Sequence, residues 1–334
     1  MRSSAPPAAR RPQPRPPARS VAAVLILVPV FVALALWAFA WPNANPRPHD
    51  LPLGVTGPPQ ATAPLTERLQ AADGAFDVRT YPDEAAARDA IKNREVYGAL
   101  VPGPDRETVG LLTASAAGPS VALLLEQGVS GQLPQDVRLE VTDVVPSPSS
   151  DPRGGALAAS VLPLTLAGVL TGALLTLLGL RGRPAVAALA GACALVGLVG
   201  AAIGHTWLGI HAGHWWAAAG SLALVSLAVA ATVAGLGALI GPPGIGVGAV
   251  LMVLFGNSFS AAASAPQLLP EPVGTLGQWL PPGAGASLIR SVSFFDGAGA
   301  GQPLPALALW TAAGFSVMLL RDLTPRGAGR GRAA

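Results

Sequence analysis

The chain has 334 residues, of which 51% are hydrophobic and only 12% charged, with a net charge of +3. Soluble domains carry about 25% charged residues, and here the apolar residues gather into long uncharged runs, which excludes a wholly soluble globule. The lone cysteine, Cys193, excludes an intrachain disulfide.

Residues 1–20 form a Pro-rich basic tail with Arg2, Arg10, Arg11, Arg15 and Arg19 and no acid. Such a composition predicts a disordered cytoplasmic tail. Arginines beside an apolar run are the expected cytoplasmic flank of a membrane span, so the tail is not read as a nucleic-acid-binding arm. The first run, 21–41, exceeds the roughly 7–15 residues of a signal-peptide core. Despite the small-x-small Ala38-Phe39-Ala40, it is read as an uncleaved anchor.

Residues 42–155 are hydrophilic and of domain size. The flanking stretches "WPNANPRPHD" and "PSPSSDPRGG" read as loops. Between them the pattern is strand ("LPLGVTG"), helix ("APLTERLQAADG"), strand ("FDVRTYP"), helix ("DEAAARDAIKNRE"), two short apolar strands ("VYGALVP", "TVGLLTAS"), helix ("GPSVALLLEQGVSGQL") and strand ("VRLEVTDVVP"). The second helix places Ala86, Ala87, Ala90 and Ile91 on one face, with Asp83 and Glu84 in its first turn. That order predicts a small α/β domain. It holds no nucleophile–base set or metal-ligand cluster; His49 stands alone in the first linker, and Asp105 and Glu107 read as an exposed loop.

Five further apolar runs follow at 156–180, 185–204, 216–240, 245–263 and 303–320. About 20 residues cross a bilayer, so the predicted architecture is a polytopic α-helical membrane protein with six transmembrane helices. The α/β domain is inserted between the first and second. Arg181 and Arg183 follow the second run, and the tail 321–334 carries Arg321, Arg326, Arg330 and Arg332 against one acid, Asp322. With six crossings these clusters and the N-terminal tail share one side, the cytoplasm. The α/β domain is then extracytoplasmic, and the location a plasma membrane.

No run contains an acid, a base or a histidine, which disfavours a proton relay through buried carboxylates. The only lysine, Lys92, is followed by Asn93, so no phosphate-binding P-loop is present and no enzymatic activity or cofactor is expected. The stretch "HTWLGIHAGHWW" brings His205, His211 and His214 together, but the interleaved Trp207, Trp215 and Trp216 favour an interfacial aromatic belt over a metal site. The spacings Gly168/Gly172, Gly200/Gly204, Gly237/Gly241 and Gly244/Gly248 predict close helix packing or dimerisation.

The segment 264–302 is read as interfacial or re-entrant. Pro281, Pro282 and Gly283 break the chain, and a helix too short to span carries Leu288, Val292 and Phe295 on one face with Ile289 beside them. Phe294, Phe295 and Asp296 close it. Arg290 is expected either to snorkel to the headgroup level or to form an outer gate by meeting Asp296 or a substrate headgroup. The backbone break should be packed against other spans.

One span, an outside domain and five closely spaced spans, with "YPDEAAARDAIKNREVYGALVPGPD" and "FGNSFSAAASAPQLLPEPVGTLGQWLPPGAGASLIRSVSFFDGAG", resemble the ABC-2 type membrane permeases. The nearest branch is that of the phage-infection proteins (Pip/YhgE-like). The resemblance implies a homodimeric exporter of a hydrophobic or amphipathic substrate, served by a separate ATPase. The short turns 181–184 and 241–244 depart from that pattern, because they leave little surface for an ATPase to dock. The alternative is an uncoupled cell-envelope receptor or scaffold whose outside domain binds a ligand or partner protein, with membrane lipid around its spans.

Overall fold

A computed structural model of the protein describes residues 18–70, 74–103, 108–131, 133–134 and 136–323. The end residues of both predicted tails, 1–17 and 324–334, and the loop with Asp105 and Glu107 lie outside the described residues. Two parts are built: an α/β domain and a helical bundle that it caps.

The α/β domain follows the order read from the pattern: β1 (Leu51–Thr56), α2 (Pro59–Gln70), β2 (Phe76–Tyr81), α3 (Glu84–Lys92), β3 (Gly98–Pro102), β4 (Thr108–Thr113), α4 (Pro119–Ser130) and β5 (Arg138–Asp143). The sheet order is β2-β1-β3-β4-β5. β1 runs parallel to β2 and β3, β3 and β4 are antiparallel, and β4 and β5 are parallel. α3 forms because Asp83 caps it, accepting a hydrogen bond from the Ala86 amide at 2.8 Å. The pair Arg88–Glu84 braces its exposed side at 2.6 Å. Ala87, Ala90 and Ile91 are buried against the sheet, and Ala86 is half-buried.

Among the described residues, five helices are long and apolar enough to cross a membrane: α1 (Ala18–Ala44), α5 (Gly155–Leu177), α6 (Gly182–Ala201, extended by a π-helical turn to Trp207), α7 (Trp215–Ile240) and α11 (Pro303–Leu323). α5 begins where Asp151 accepts from the amides of Ala156 and Leu157 at 2.9 and 3.2 Å, an N-terminal cap that stands in for a Ser or Thr. α7 is the hub. It is buried over 61% of its apolar window, against 33% or less for each of the others, and α5, α6 and α11 pack on it. Glycines allow the approach. A Cβ at Gly168 would stand 2.7 Å from the Ser226 carbonyl oxygen, and one at Gly172 2.6 Å from that of Ala230. Gly314 of α11 likewise meets the backbone of Ala231. The pair Gly168/Gly172 is therefore used within the chain, against α7.

The remaining apolar helix is shorter than the run 245–263 suggested. α8 (Pro242–Ala249) continues as a π-helical segment, Val250–Asn257, and stops. Sixteen helical residues span about 24 Å, less than the roughly 30 Å hydrocarbon core. Its ending has a local cause. Asn257, Ser258 and Ser260 follow, the Ser258 and Ser260 hydroxyls donate back to the carbonyls of Leu254 and Asn257, and Ala261 turns to φ 52°. Such side chains compete for their own backbone, a signal hidden by the absence of formal charge. α1 packs at the edge, its Ala38 buried among Leu254, Phe259 and Val273.

Gly172→Leu should therefore lower the thermal melting of the detergent-solubilised protein sharply, by an overpacking cost of about 1–3 kcal/mol. Gly191→Leu, where an added Cβ meets nothing within 4 Å, should leave melting unchanged in a fluorescence size-exclusion assay.

Candidate functional site

Between Asn257 and α11 the chain makes a 3-10 turn (Pro266–Leu268), α9 (Val273–Trp279) and α10 (Pro281–Phe294). Pro281 and Pro282 occupy the first turn of α10, where a missing amide hydrogen costs nothing. The break is packed: a Cβ at Gly256 would lie 2.7 Å from Pro282 Cγ, and one at Gly285 2.6 Å from Val225 Cγ2. Val225 is about 15 Å along α7 from Trp215, so α10 begins deep in the bundle and rises to the α/β domain.

This corrects the amphipathic reading of α10. From Pro281 to Phe295 every residue is buried except Ser287, Val292 and Phe294, which are half-buried. The helix has no lipid-facing stripe; Leu288 and Ile289 join the bundle core, and Phe295 enters the core of the α/β domain beside Ala87 and Ile91. Arg290 does not snorkel. It is 4% exposed and donates through Nη2 to the Ala262 carbonyl at 2.7 Å. Asp296 is exposed, at φ 49°, and forms no ion pair with Arg290. Gly283 lies against Gly277 at the α9–α10 corner.

A cavity of about 380 Å³ opens between the α/β domain, α9, α10 and the start of α11. Polar groups stitch its wall. Ser287 Oγ donates to Gln278 Oε1 at 2.6 Å, Gln278 Nε2 to the Ser260 carbonyl at 3.2 Å, and Gln302 Nε2 to the Gln278 carbonyl at 3.0 Å. The Trp310 indole holds the Trp279 carbonyl at 2.7 Å. From the sheet side, the Tyr97 hydroxyl donates to Gln267 Oε1 at 3.1 Å, and burial pushes its pKa up, so it stays neutral.

Arg94 joins the two parts. Its Nη1 donates to the Ser287 carbonyl at 3.1 Å and to Ser291 Oγ at 2.5 Å, and its guanidinium carbon sits 5.5 Å from the Phe295 ring centroid. Burial lowers its pKa, an effect that Tyr97 opposes. Sequence reasoning overlooked Arg94, Tyr97, Gln267 and Gln278. The available signal was "KNREVYG": α3 ends in a reverse turn that normally takes Gly, with Glu95 N–H on the Ala90 carbonyl and Arg94 N–H on that of Ile91. Arg94 occupies the left-handed position at φ 60°.

The histidine stretch separates rather than gathers. His205 Nε2 lies 3.0 Å from the Gly213 carbonyl, His214 is exposed ahead of α7, and His211 is buried with Nδ1 3.4 Å from Ser293 Oγ of α10. Among the described residues no three His, Cys, Asp or Glu side chains are arranged to hold a metal ion. Trp207 and Trp216 are exposed, as an aromatic belt requires.

No protein-family model matches this chain, and no curated protein or solved structure is detectably similar to it.

Burial, with His205 adding repulsion and Asp151 a weaker attraction, holds the His211 pKa down to about 4. The unfolded chain, near 6.5, binds the proton first, so stability is complete above that value and is lost as pH falls through 6.5 towards 4. The melting temperature should drop between pH 7 and pH 5, and His211→Asn should flatten that dependence.

Proposed function

We propose that the protein carries an amphipathic molecule across a plasma membrane, in the manner of an ABC-2 type permease, as a homodimer with a separate ATPase. The observation behind the reading is the cavity under the α/β domain, floored by the α9–α10 corner. Irregular backbone at membrane depth survives only where protein covers it or water reaches it. Here the broken helix ends next to the cavity wall, where Gln278 bonds the Ser260 carbonyl just past that ending, as at a site where a solute leaves or enters the bilayer. Tryptophan, proline and valine line the same cavity, which suits a ligand with an apolar body.

On this reading α8 with its π-helical continuation and the α9–α10 hairpin together make the sixth crossing. Arg181, Arg183 and Arg321 then lie at the cytoplasmic end. At that end a recess of about 480 Å³ runs between the ends of α5, α7 and α11, lined by Arg181, Pro242, Arg321 and Asp322. It offers an ATPase a surface that the short turns lack.

The receptor reading keeps one observation in its favour. The α/β domain and α10 share a continuous core around Phe295, which suits a rigid binding platform as well as a gate.

Affinity isolation from membranes should bring down an ATP-binding subunit, and cells lacking the protein should lose an amphiphile from the medium or outer leaflet. Restoration by wild type but not by Thr275→Trp, which plugs the cavity mouth, supports transport. An unchanged amphiphile profile with no ATPase recovered overturns it in favour of the receptor.

For the topology, single cysteines at Glu84 and Arg183 in a Cys193→Ser background separate the two sides. An impermeant maleimide should label the Glu84→Cys protein in intact cells. The Arg183→Cys protein should react only after permeabilisation; the reverse pattern would invert the orientation.

A further inference from the structure

Two cations meet where the α/β domain sits on the bundle, and neither has an acid. Ion pairs form elsewhere in the α/β domain, at Arg79–Asp77, Arg88–Glu84 and Lys92–Asp89. Arg94 and Arg290 are in none of them. Arg94 bonds Ser287 and Ser291, the latter next to Arg290 in the chain, so both cations are held at one stretch of α10. Burying one cation without a counterion is costly, and burying two side by side more so.

Their donors are also underused. A guanidinium has five N–H donors. Arg94 makes both of its hydrogen bonds through Nη1, and Arg290 makes its one through Nη2. Yet the only fully enclosed side-chain nitrogen or oxygen without a partner among the described residues is His49 Nδ1. Arg94 is half-buried and lines the cavity, so its remaining nitrogens are available to a ligand there, whereas Arg290 is 4% exposed and does not line it.

The backbone adds an independent observation. Arg94 holds a left-handed conformation at a helix end where Gly is the unstrained residue. A non-glycine there is strained, and strain of this kind is retained at functional sites. The result of that strain is a guanidinium on the wall of the 380 Å³ cavity. Among the described residues the only acid on that wall is Glu271, which is exposed and pairs with neither arginine. Val96, Trp279 and Pro303 give the same cavity its apolar lining.

We infer that this cavity binds an anionic amphiphile, a molecule with one phosphate or carboxylate group on an apolar body. Arg94, the cation on its wall, is the contact of the anion. The inference rests on the cavity being the site of the carried molecule and specifies the chemistry that molecule must have. The anion supplies the counter-charge Arg94 lacks, and charge-assisted bonds to a guanidinium fork are the strong kind. Trp279 and the prolines receive the adjoining methylenes. A cavity of this size lies at the low end of small-molecule sites, about 300–1,000 Å³, so it holds a headgroup and the start of a chain, with the remainder leaving towards the bilayer.

The test uses the full-length protein in phosphatidylcholine nanodiscs, with dodecyl phosphate as probe and empty nanodiscs as blank. Saturable binding at one site per chain is expected, with dodecanol and dodecyl maltoside at least tenfold weaker and inorganic phosphate weaker still. Arg94→Gly suits the left-handed backbone and removes the guanidinium; it should weaken dodecyl phosphate at least tenfold. Thr275→Trp should do the same by filling the mouth, and Arg88→Gln, on the exposed side of α3, should change nothing. Dodecanol binding as tightly as dodecyl phosphate would overturn the inference even where Arg94→Gly does not fold. So would Arg94→Gly binding within twofold of wild type. Inorganic phosphate binding as tightly as the amphiphile would reduce the site to a free-anion site and reject the amphiphile. Loss of export in Thr275→Trp, combined with no dodecyl phosphate binding to wild type, would leave the transport reading standing and reject the anionic class alone.

Discussion

Close backbone approach to α7 is the constraint on which the rest of this structure depends. Lipid tails are as apolar as the helices, so burial of apolar surface does not drive helices together within a membrane; packing at short range must. α5 presents Gly168 and Gly172, α6 presents Gly197, and α11 presents Gly314, each meeting the backbone or first side-chain carbon of α7. α7 answers with a run of Ala, Val, Ser and Thr that is buried on all sides. Because the partners stand close, the bundle has room for one more element against α7 near Val225, and α10 fills it.

That placement explains the unusual character of the 258–302 segment. α8 and its π-helical continuation end part-way up, at polar residues that bond their own backbone. The chain then turns through α9 and sends α10 upward through protein rather than lipid. Ser287, Gln278, Gln302 and Ser260 satisfy one another along this path. The irregular backbone is thereby supplied with partners, which is the condition for its existence within an apolar helical bundle. π-helical turns at Ala202–Trp207 and Val250–Asn257 occur where the two interrupted helices change course, in keeping with the tendency of such turns to mark functional positions.

The α/β domain is not a tethered appendage. Phe295 from α10 enters its core, Leu268 and Ala265 pack under its strands, and Arg94 reaches down to Ser287 and Ser291. Any change in how the domain sits is coupled to α10, and through α10 to the middle of α7. The cavity lies on that seam, so a ligand there contacts both parts at once.

The order of strands and helices in the α/β domain was legible in the sequence, because period-two and helical spacings are local properties. The five long apolar helices were legible for the same reason: length and absence of charge are read residue by residue. The small-residue spacing at Gly168 and Gly172 announced close packing but not its partner. Tertiary structure alone decided that it faces α7 of the same chain. It also decided that α10, whose pattern suggests an interfacial stripe, is enclosed on every side, and that Arg290 points to a carbonyl rather than to water or to Asp296. Arg94 carried a faint local sign, a non-glycine at a helix-ending turn. Its meeting with Ser287 and Ser291, nearly two hundred residues onward, depends on the path of the whole chain. Periodicity reports what a segment can bury; only the assembled neighbours determine what covers it.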